Sequence, residues 1–318
     1  MNNSISEMAE GSFGEFPKAF LLDIGEQKTP LNQWLEDNND LVNQRITEQG
    51  AVLIRGLNFA SNRFFSKFLK ELFNTELAQY VYRSTPRIKL KGNIYTASEY
   101  PAEELIPQHN ENSYANSWPH RIGFLCVIPA GKGGQTPISN SQDVYAAIDK
   151  NIRDEFEKKQ VLYVRNYGSI DLPWQEVFQT DNKTDVELYC KNNNLKISWI
   201  GDDQCRTEQV NDAVITHPTT AKKIWFNQAH LFHVSGLKTE LKEHLLSFLD
   251  EQQLPRNAYF GDGTSIPAEY LEHIRDVYKK YTVAFKWQKN DVLLLDNLRY
   301  THGRNSYQGD RKILVGMA

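Results

Sequence analysis

The chain has 318 residues and a formal charge of −4, from 36 Lys and Arg against 40 Asp and Glu. That length suits one large domain or two small ones, and 40% apolar with 24% charged residues is the composition of a packed globular protein, which excludes a disordered or fibrous chain. The mild acidity argues against nucleic acid as a partner, no run approaches the roughly 18 apolar residues of a membrane span, and the three cysteines (Cys126, Cys190, Cys205) have neither metal-type spacing nor the even count of a disulfide framework.

Residues 1–16, polar and acidic, read as a flexible arm, without the basic start and apolar core of a secretory signal; a cytoplasmic protein is expected. Over 31–49, Leu31, Trp34, Leu35, Leu41, Val42 and Ile46 recur at helical intervals. GAVLIRGL (50–57), β-branched between glycines, predicts a buried strand. Residues 60–76 predict a helix capped by Ser61 and burying Phe64, Phe65, Phe68, Leu69 and Phe73. From about residue 80 the texture turns to β, with strands expected at 122–129, 196–201, 223–227, 281–287, 291–297 and 312–317. Helices are expected at 141–159, 235–252 and 267–281. Many short strands after an early helical part predict a mainly β fold with peripheral helices, an antiparallel sandwich or barrel.

Three stretches carry residue types suited to chemistry. In His109-Asn110-Glu111 the imidazole and the carboxylate, two apart, share a face if the segment is a strand. The apolar run 292–295 leads to Asp296-Asn297 and then His302-Gly303-Arg304, with Arg311 nine residues after His302. Two histidines and one carboxylate form the facial triad that leaves positions open on a non-haem Fe(II), and an arginine fork suits a carboxylate. The third stretch is Gly133-Gly134-Gln135-Thr136-Pro137, a glycine turn whose Thr136 hydroxyl could meet an anionic co-substrate. It lacks the order of a phosphate-binding loop.

Beyond these residues the chain resembles the taurine dioxygenase-like (TauD/TfdA) Fe(II)/2-oxoglutarate oxygenases, in particular the branch of SyrP-like amino-acid hydroxylases. The matching text includes RSTPR (83–87), IPQHNENSY (106–114), WPHRIGFLCVIPAGKGGQTPISNSQDVY (118–145), WFNQAHLFH (225–233) and WQKNDVLLLDNLRYTHGRNSYQGDRKILVGM (287–317). The resemblance implies a double-stranded β-helix, a distorted jelly roll, as a single TauD-like domain over 17–318. Within it, about 160–285 would hold insert helices and a lid.

It further implies that His109, Glu111 and His302 bind iron and that Arg311, with Thr136 beside it, holds the far carboxylate of 2-oxoglutarate. O₂ would be the oxidant. Asn227, with Gln228, would line the substrate cavity, and Arg304 would make a structural salt bridge. Glu111 stands where the branch's halogenases have a small residue, which argues against halogenation. Val315 stands where taurine dioxygenase has its sulfonate-binding arginine, which argues against taurine. His217 reads as a buried turn residue, and His230 and His233 as packing or pocket lining rather than a second metal pair. Arg83 and Arg87 could each meet an anionic substrate group or a surface carboxylate.

The function implied is hydroxylation of an unactivated C–H bond of an amino acid, free or tethered to a peptidyl carrier protein, in specialised-metabolite biosynthesis; a homo-oligomer stays open. Desaturation or cyclisation would use the same iron chemistry, a non-catalytic metal or 2-oxoglutarate binder the same scaffold, and a hydrolytic zinc site the same three ligands.

Overall fold

A computed structural model of the chain describes residues 14–318 apart from Asn62, Ser98 and Ser169. Two sheets face each other. The larger has six strands in the spatial order Leu21–Asp23, Ala51–Arg55, Val292–Asp296, Arg121–Ile128, Lys312–Met317, Ile94–Thr96. The smaller has five: Gly14–Glu15, Val283–Ala284, Ile138–Asn140, Tyr300–Arg304, Ile106–His109. Pairing is antiparallel except where Leu21–Asp23 meets Ala51–Arg55 and Gly14–Glu15 meets Val283–Ala284.

The apolar runs are explained by burial on both faces. Leu293 and Leu295 point into the core between the sheets, with Phe124, Ile138, Tyr300 and Ile313. Val292 and Leu294, one residue out of phase, point the other way into a second core. There the helices Leu31–Gln49 and Arg63–Phe73 cover the larger sheet with Trp34, Val42, Phe65 and Leu69. The first of these helices stops at Gly50, which takes a left-handed φ of 80° and returns its N–H to Ile46 O.

A third layer lies within 160–285. It is a four-stranded antiparallel sheet, in the order Lys196–Ile200, Gln204–Asn211, Val161–Tyr167, Arg256–Phe260. Its own core includes Tyr163, Trp225 and Phe260 and is flanked by Lys150–Lys159, Lys183–Asn192 and Ala268–Tyr281.

Several expectations are corrected. Phe64 is 48% exposed, and Leu72 rather than Phe73 completes the buried face of its helix. The helix expected at 141–159 is two, Ser141–Ala147 and Lys150–Lys159, with Ile148 extended between them. Only Val283–Ala284 of 281–287 is a strand. Of the expected arm, residues 1–13 lie outside the described residues. Gly14–Glu15 pairs with Val283–Ala284, and Phe16 packs against Phe285 at 4.9 Å, so the arm's last three residues are pinned.

Candidate metal centre and co-substrate pocket

His109 closes the strand Ile106–His109, and antiparallel pairing with Tyr300–Arg304 sets it directly opposite His302, with ring centroids 4.5 Å apart. Glu111 is not on that strand, contrary to the same-face expectation. The strand ends at His109 and Glu111 opens a turn in which Asn112 takes φ 57°. The turn is fixed from behind. The Asn297 amide accepts from Glu111 N (2.8 Å) and donates to Glu111 O (3.0 Å) and Pro119 O (2.7 Å), taking the place of a strand partner. Asn110 Nδ2 donates to Asn297 O, and Gln228 Nε2 donates to Asn110 O.

One ligand atom from each of His109, Glu111 and His302 lies within 4.8 Å of the others, and Glu111 Oε2 is 3.5 Å from His302 Nε2. Donors 2.0–2.2 Å from one ion stand at about this mutual spacing. The protonation states fit a metal. His109 Nδ1 is 2.8 Å from Pro107 O, so Nδ1 carries the hydrogen and Nε2 keeps its lone pair. Burial, with the neighbouring His302, lowers its pKa to about 4, which keeps it neutral. Burial alone would raise Glu111. The Arg87 guanidinium, 2.8 Å from Oε2, reverses that, and with the two histidines it holds the carboxyl well below its usual range. An imidazole held neutral with its Nε2 lone pair free, a second imidazole and an ionised carboxylate are a donor set that fits Fe(II).

Beside these groups is a cavity lined among others by Arg87, Phe124, Thr136, Arg311 and Val315. Arg311 Nε donates to Gly134 O (2.9 Å), and Nη2 stands 3.5 Å from Thr136 Oγ1. Burial, then the charge of Arg304, lowers the Arg311 pKa to about 10, so it remains a cation at neutral pH. Thr136 Oγ1 accepts from Trp287 Nε1 (3.1 Å), leaving its own hydrogen to donate. Gly134 has φ 70°, and a Cβ there would come within 2.8 Å of Ala130 Cβ and 3.0 Å of Arg311 Cδ. The cradle is shaped by the missing side chain, and the pocket fits a carboxylate ligand.

Other expected residues fall as follows. Asn227 is a correction: its amide donates to Ala213 O and accepts from Ala229 N, so it is committed to backbone and braces the segment before Ala229–Phe232 rather than facing the cavity. Arg304 donates to the carbonyls of Tyr100, Pro101 and Glu104, closing a loop. His217 is the buried turn residue expected, with Nδ1 accepting from Thr219 N and Thr220 N, and Nε2 donating to Asp296. His230 Nε2 lies 3.0 Å from Gln108 O, and His233 Nδ1 accepts from Ser235 N. The three cysteines are buried thiols, each pushed up by burial to about 12.

Three residues that serve the site escaped the sequence reading of their roles: Asn297, Trp287 and Arg87 in its contact with Glu111. Their only linear signal is position, since each lies in a segment adjoining a recognised motif.

A jelly roll carrying two imidazoles and a carboxylate within reach of one ion, next to an arginine-bearing cavity, defines a non-haem Fe(II) oxygenase scaffold. The chain belongs to the taurine catabolism dioxygenase TauD, TfdA family, whose pattern matches residues 16–318. It is 40% identical over 277 residues to the dapdiamide synthesis protein DdaC of Enterobacter agglomerans, covering 87% of this chain and 84% of that one. It is 29% identical over 315 residues to a clavaminate synthase-like protein of Arabidopsis thaliana, covering 95% and 91%. Among solved structures, PvcB, an Fe, alpha-ketoglutarate dependent oxygenase from an isonitrile synthetic pathway, superposes with a TM-score of 0.53 at 14% identity, covering 93% of this chain and 84% of that one. The protein is accordingly an Fe(II)/2-oxoglutarate-dependent dioxygenase that consumes O₂ and acts on a small molecule. Among the described residues no helix is long and apolar enough to cross a membrane.

Proposed function

We propose that the enzyme hydroxylates an unactivated C–H bond of an amino acid, free or held on a peptidyl carrier protein, in the cytoplasm and in the service of a specialised-metabolite pathway. The observation that carries the reading is the convergence of His109, Glu111 and His302 beside the Arg311–Thr136 end of one cavity. The similarity at 40% identity to a protein named for dapdiamide synthesis supports the biosynthetic setting.

In this reading His109 Nε2, the Glu111 carboxylate and His302 Nε2 hold the ferrous ion. Arg311 and Thr136 receive the far carboxylate of 2-oxoglutarate. When bound, iron and 2-oxoglutarate together supply the activation of O₂ that an unactivated C–H bond demands. The chain's own work is positional. Asn297 fixes the backbone of Glu111, and Arg87 keeps that carboxylate ionised. Phe124, with its ring 5.1 Å from His302, walls the histidine with an apolar face that excludes water. Val315 gives the cavity an apolar wall, which disfavours a sulfonate such as taurine.

The test is anaerobic addition of Fe(II) and 2-oxoglutarate, followed by oxygen and a panel of free and carrier-bound amino acids. A weak visible charge-transfer band is expected, lost in His302→Ala and requiring more 2-oxoglutarate in Arg311→Leu. Succinate release coupled to a hydroxylated amino acid identifies the substrate. A wild-type protein that gives neither band nor succinate, or that turns over taurine as fast as any amino acid, refutes the reading.

A further inference from the structure

Arg87 has more binding capacity than the fold uses. It is 7% exposed and permanently charged. Nη2 serves Glu111 Oε2 at 2.8 Å. Nη1 has the Met317 sulfur at 3.9 Å, a weak acceptor, and Nε has no hydrogen-bond partner among the described residues. Its carbon lies 4.5 Å from the centre of the Tyr80 ring, which steadies the plane of the fork without satisfying its N–H groups. A buried guanidinium with unmet donors is costly unless an anion completes it.

The neighbouring charges favour a dianion. Arg87 and Arg311 line the same cavity, Arg311 beside Gly134 and Thr136 and Arg87 beside the metal-binding carboxylate, with Glu111 between the metal ligands as the one acidic partner among the described contacts. Arg304 also lines the cavity, but its Nη groups go to the carbonyls of Tyr100, Pro101 and Glu104. Two available guanidiniums on the wall of a single cavity, one against the Glu111 carboxylate and the other against Gly134 and Thr136, match a ligand with two carboxylates.

We propose that Arg87 is a second anchor for 2-oxoglutarate, bridging Glu111 to the carboxylate of the 2-oxo acid end while Arg311 takes the other. This rests on the reading of Arg311 given above and deepens it. Arg87 thereby links the metal ligand to the co-substrate, so that a mono-acid with an intact 2-oxo end still finds a cation.

The experiment compares two probes, 2-oxoglutarate and 2-oxopentanoate, the second lacking the far carboxylate. Each is titrated anaerobically into Fe(II)-saturated enzyme and read by the charge-transfer band, and Fe(II) affinity without any oxo acid is measured separately. Arg87→Met is expected to weaken both probes by a similar factor of roughly tenfold or more, the worth of a charge-assisted hydrogen bond. Arg87→Lys, with the charge retained, is expected to fall between Met and wild type. Arg311→Leu should weaken 2-oxoglutarate alone. The inference is overturned if Arg87→Met or Arg87→Lys folds and leaves 2-oxopentanoate binding unchanged. It is equally overturned if the loss vanishes when each variant is held saturated with Fe(II), because Arg87 then acts only through Glu111. A wild type that binds 2-oxoglutarate but not 2-oxopentanoate also sinks it, since an anchored 2-oxo end binds by itself. Absence of any band in wild type is a different result and refutes the oxygenase reading instead.

Discussion

Removing the Asn297 amide tests whether Glu111 is held by design of the fold or merely lies where the turn leaves it. Asn297 has no exposed surface, and its side chain makes three hydrogen bonds of 2.7–3.0 Å, two of them to the backbone of Glu111. Asn297→Ala strands one N–H and two C=O groups. Each stranded buried group costs about 1–3 kcal/mol, and water entering the space of the lost amide recovers part of it. A net destabilisation of about 3–5 kcal/mol is therefore expected. The two-residue path from His109 to Glu111 should also loosen, so metal affinity should fall by roughly tenfold or more. Urea unfolding measures the first quantity and titration with Fe(II) or a spectroscopic substitute the second. Asn297→Asp is the stringent companion. It keeps the shape but sets an oxygen against the carbonyls of Glu111 and Pro119, so it should be no better than Ala. A loss below about 1 kcal/mol with metal affinity unchanged would show that the turn needs no such brace.

His230 is buried, and its pKa is lowered by that burial to about 3. The unfolded chain takes up the proton near 6.5 while the native state resists it, so the stability tied to this group is present above about pH 6.5 and is lost as pH falls towards 3. His230→Gln should therefore flatten the acid limb of the urea midpoint against pH; an unchanged limb would contradict the assignment. Gly134→Ala places a Cβ on a left-handed residue and against Arg311, so 2-oxoglutarate affinity should drop by roughly tenfold while Fe(II) affinity holds; equal losses in both would mean the strain spreads to the metal ligands. Asp291, fully buried, receives Arg55 Nε and Nη2 at 3.0 and 2.8 Å and the Gln288 N–H. Arg55 is partly exposed, so Asp291→Ala should cost about 2 kcal/mol, less than a wholly buried pair, measurable by urea unfolding with co-substrate binding unaltered.

What could be read from the sequence divides by how local its cause is. Val292–Asp296 and Ala51–Arg55 were legible because apolar side chains on both faces leave an unbroken run. Val161–Tyr167 and Gln204–Asn211 were not. Arg165 interrupts the first and polar residues fill the second, and their burial comes from helices placed there by tertiary packing. The phenylalanine-rich helix was located correctly, but which of its rings faced inward depended on the sheet beneath it, and Phe64 was misassigned.

The site divides in the same way, and the division explains why the metal ligands were visible and their supports were not. Imidazole and carboxylate identities are written in the chain, and the spacing of His109 and Glu111 survives even though the strand assumed to produce it stops at His109. The spacing was informative for a different reason. A turn starting one residue after the strand, with Asn112 left-handed, swings the carboxylate to the face on which His109 and His302 meet. Such a turn has little rigidity of its own, so its aim must come from elsewhere. Asn297 supplies it through the backbone and Arg87 through the carboxylate, from positions 186 residues ahead and 24 behind. Neither residue type announces that role, because an asparagine after an apolar strand and an arginine after a proline are ordinary on any surface. Only burial with specific partners makes them part of the centre. Sequence thus reveals the atoms that touch the ion, and three-dimensional packing reveals those that keep them aimed.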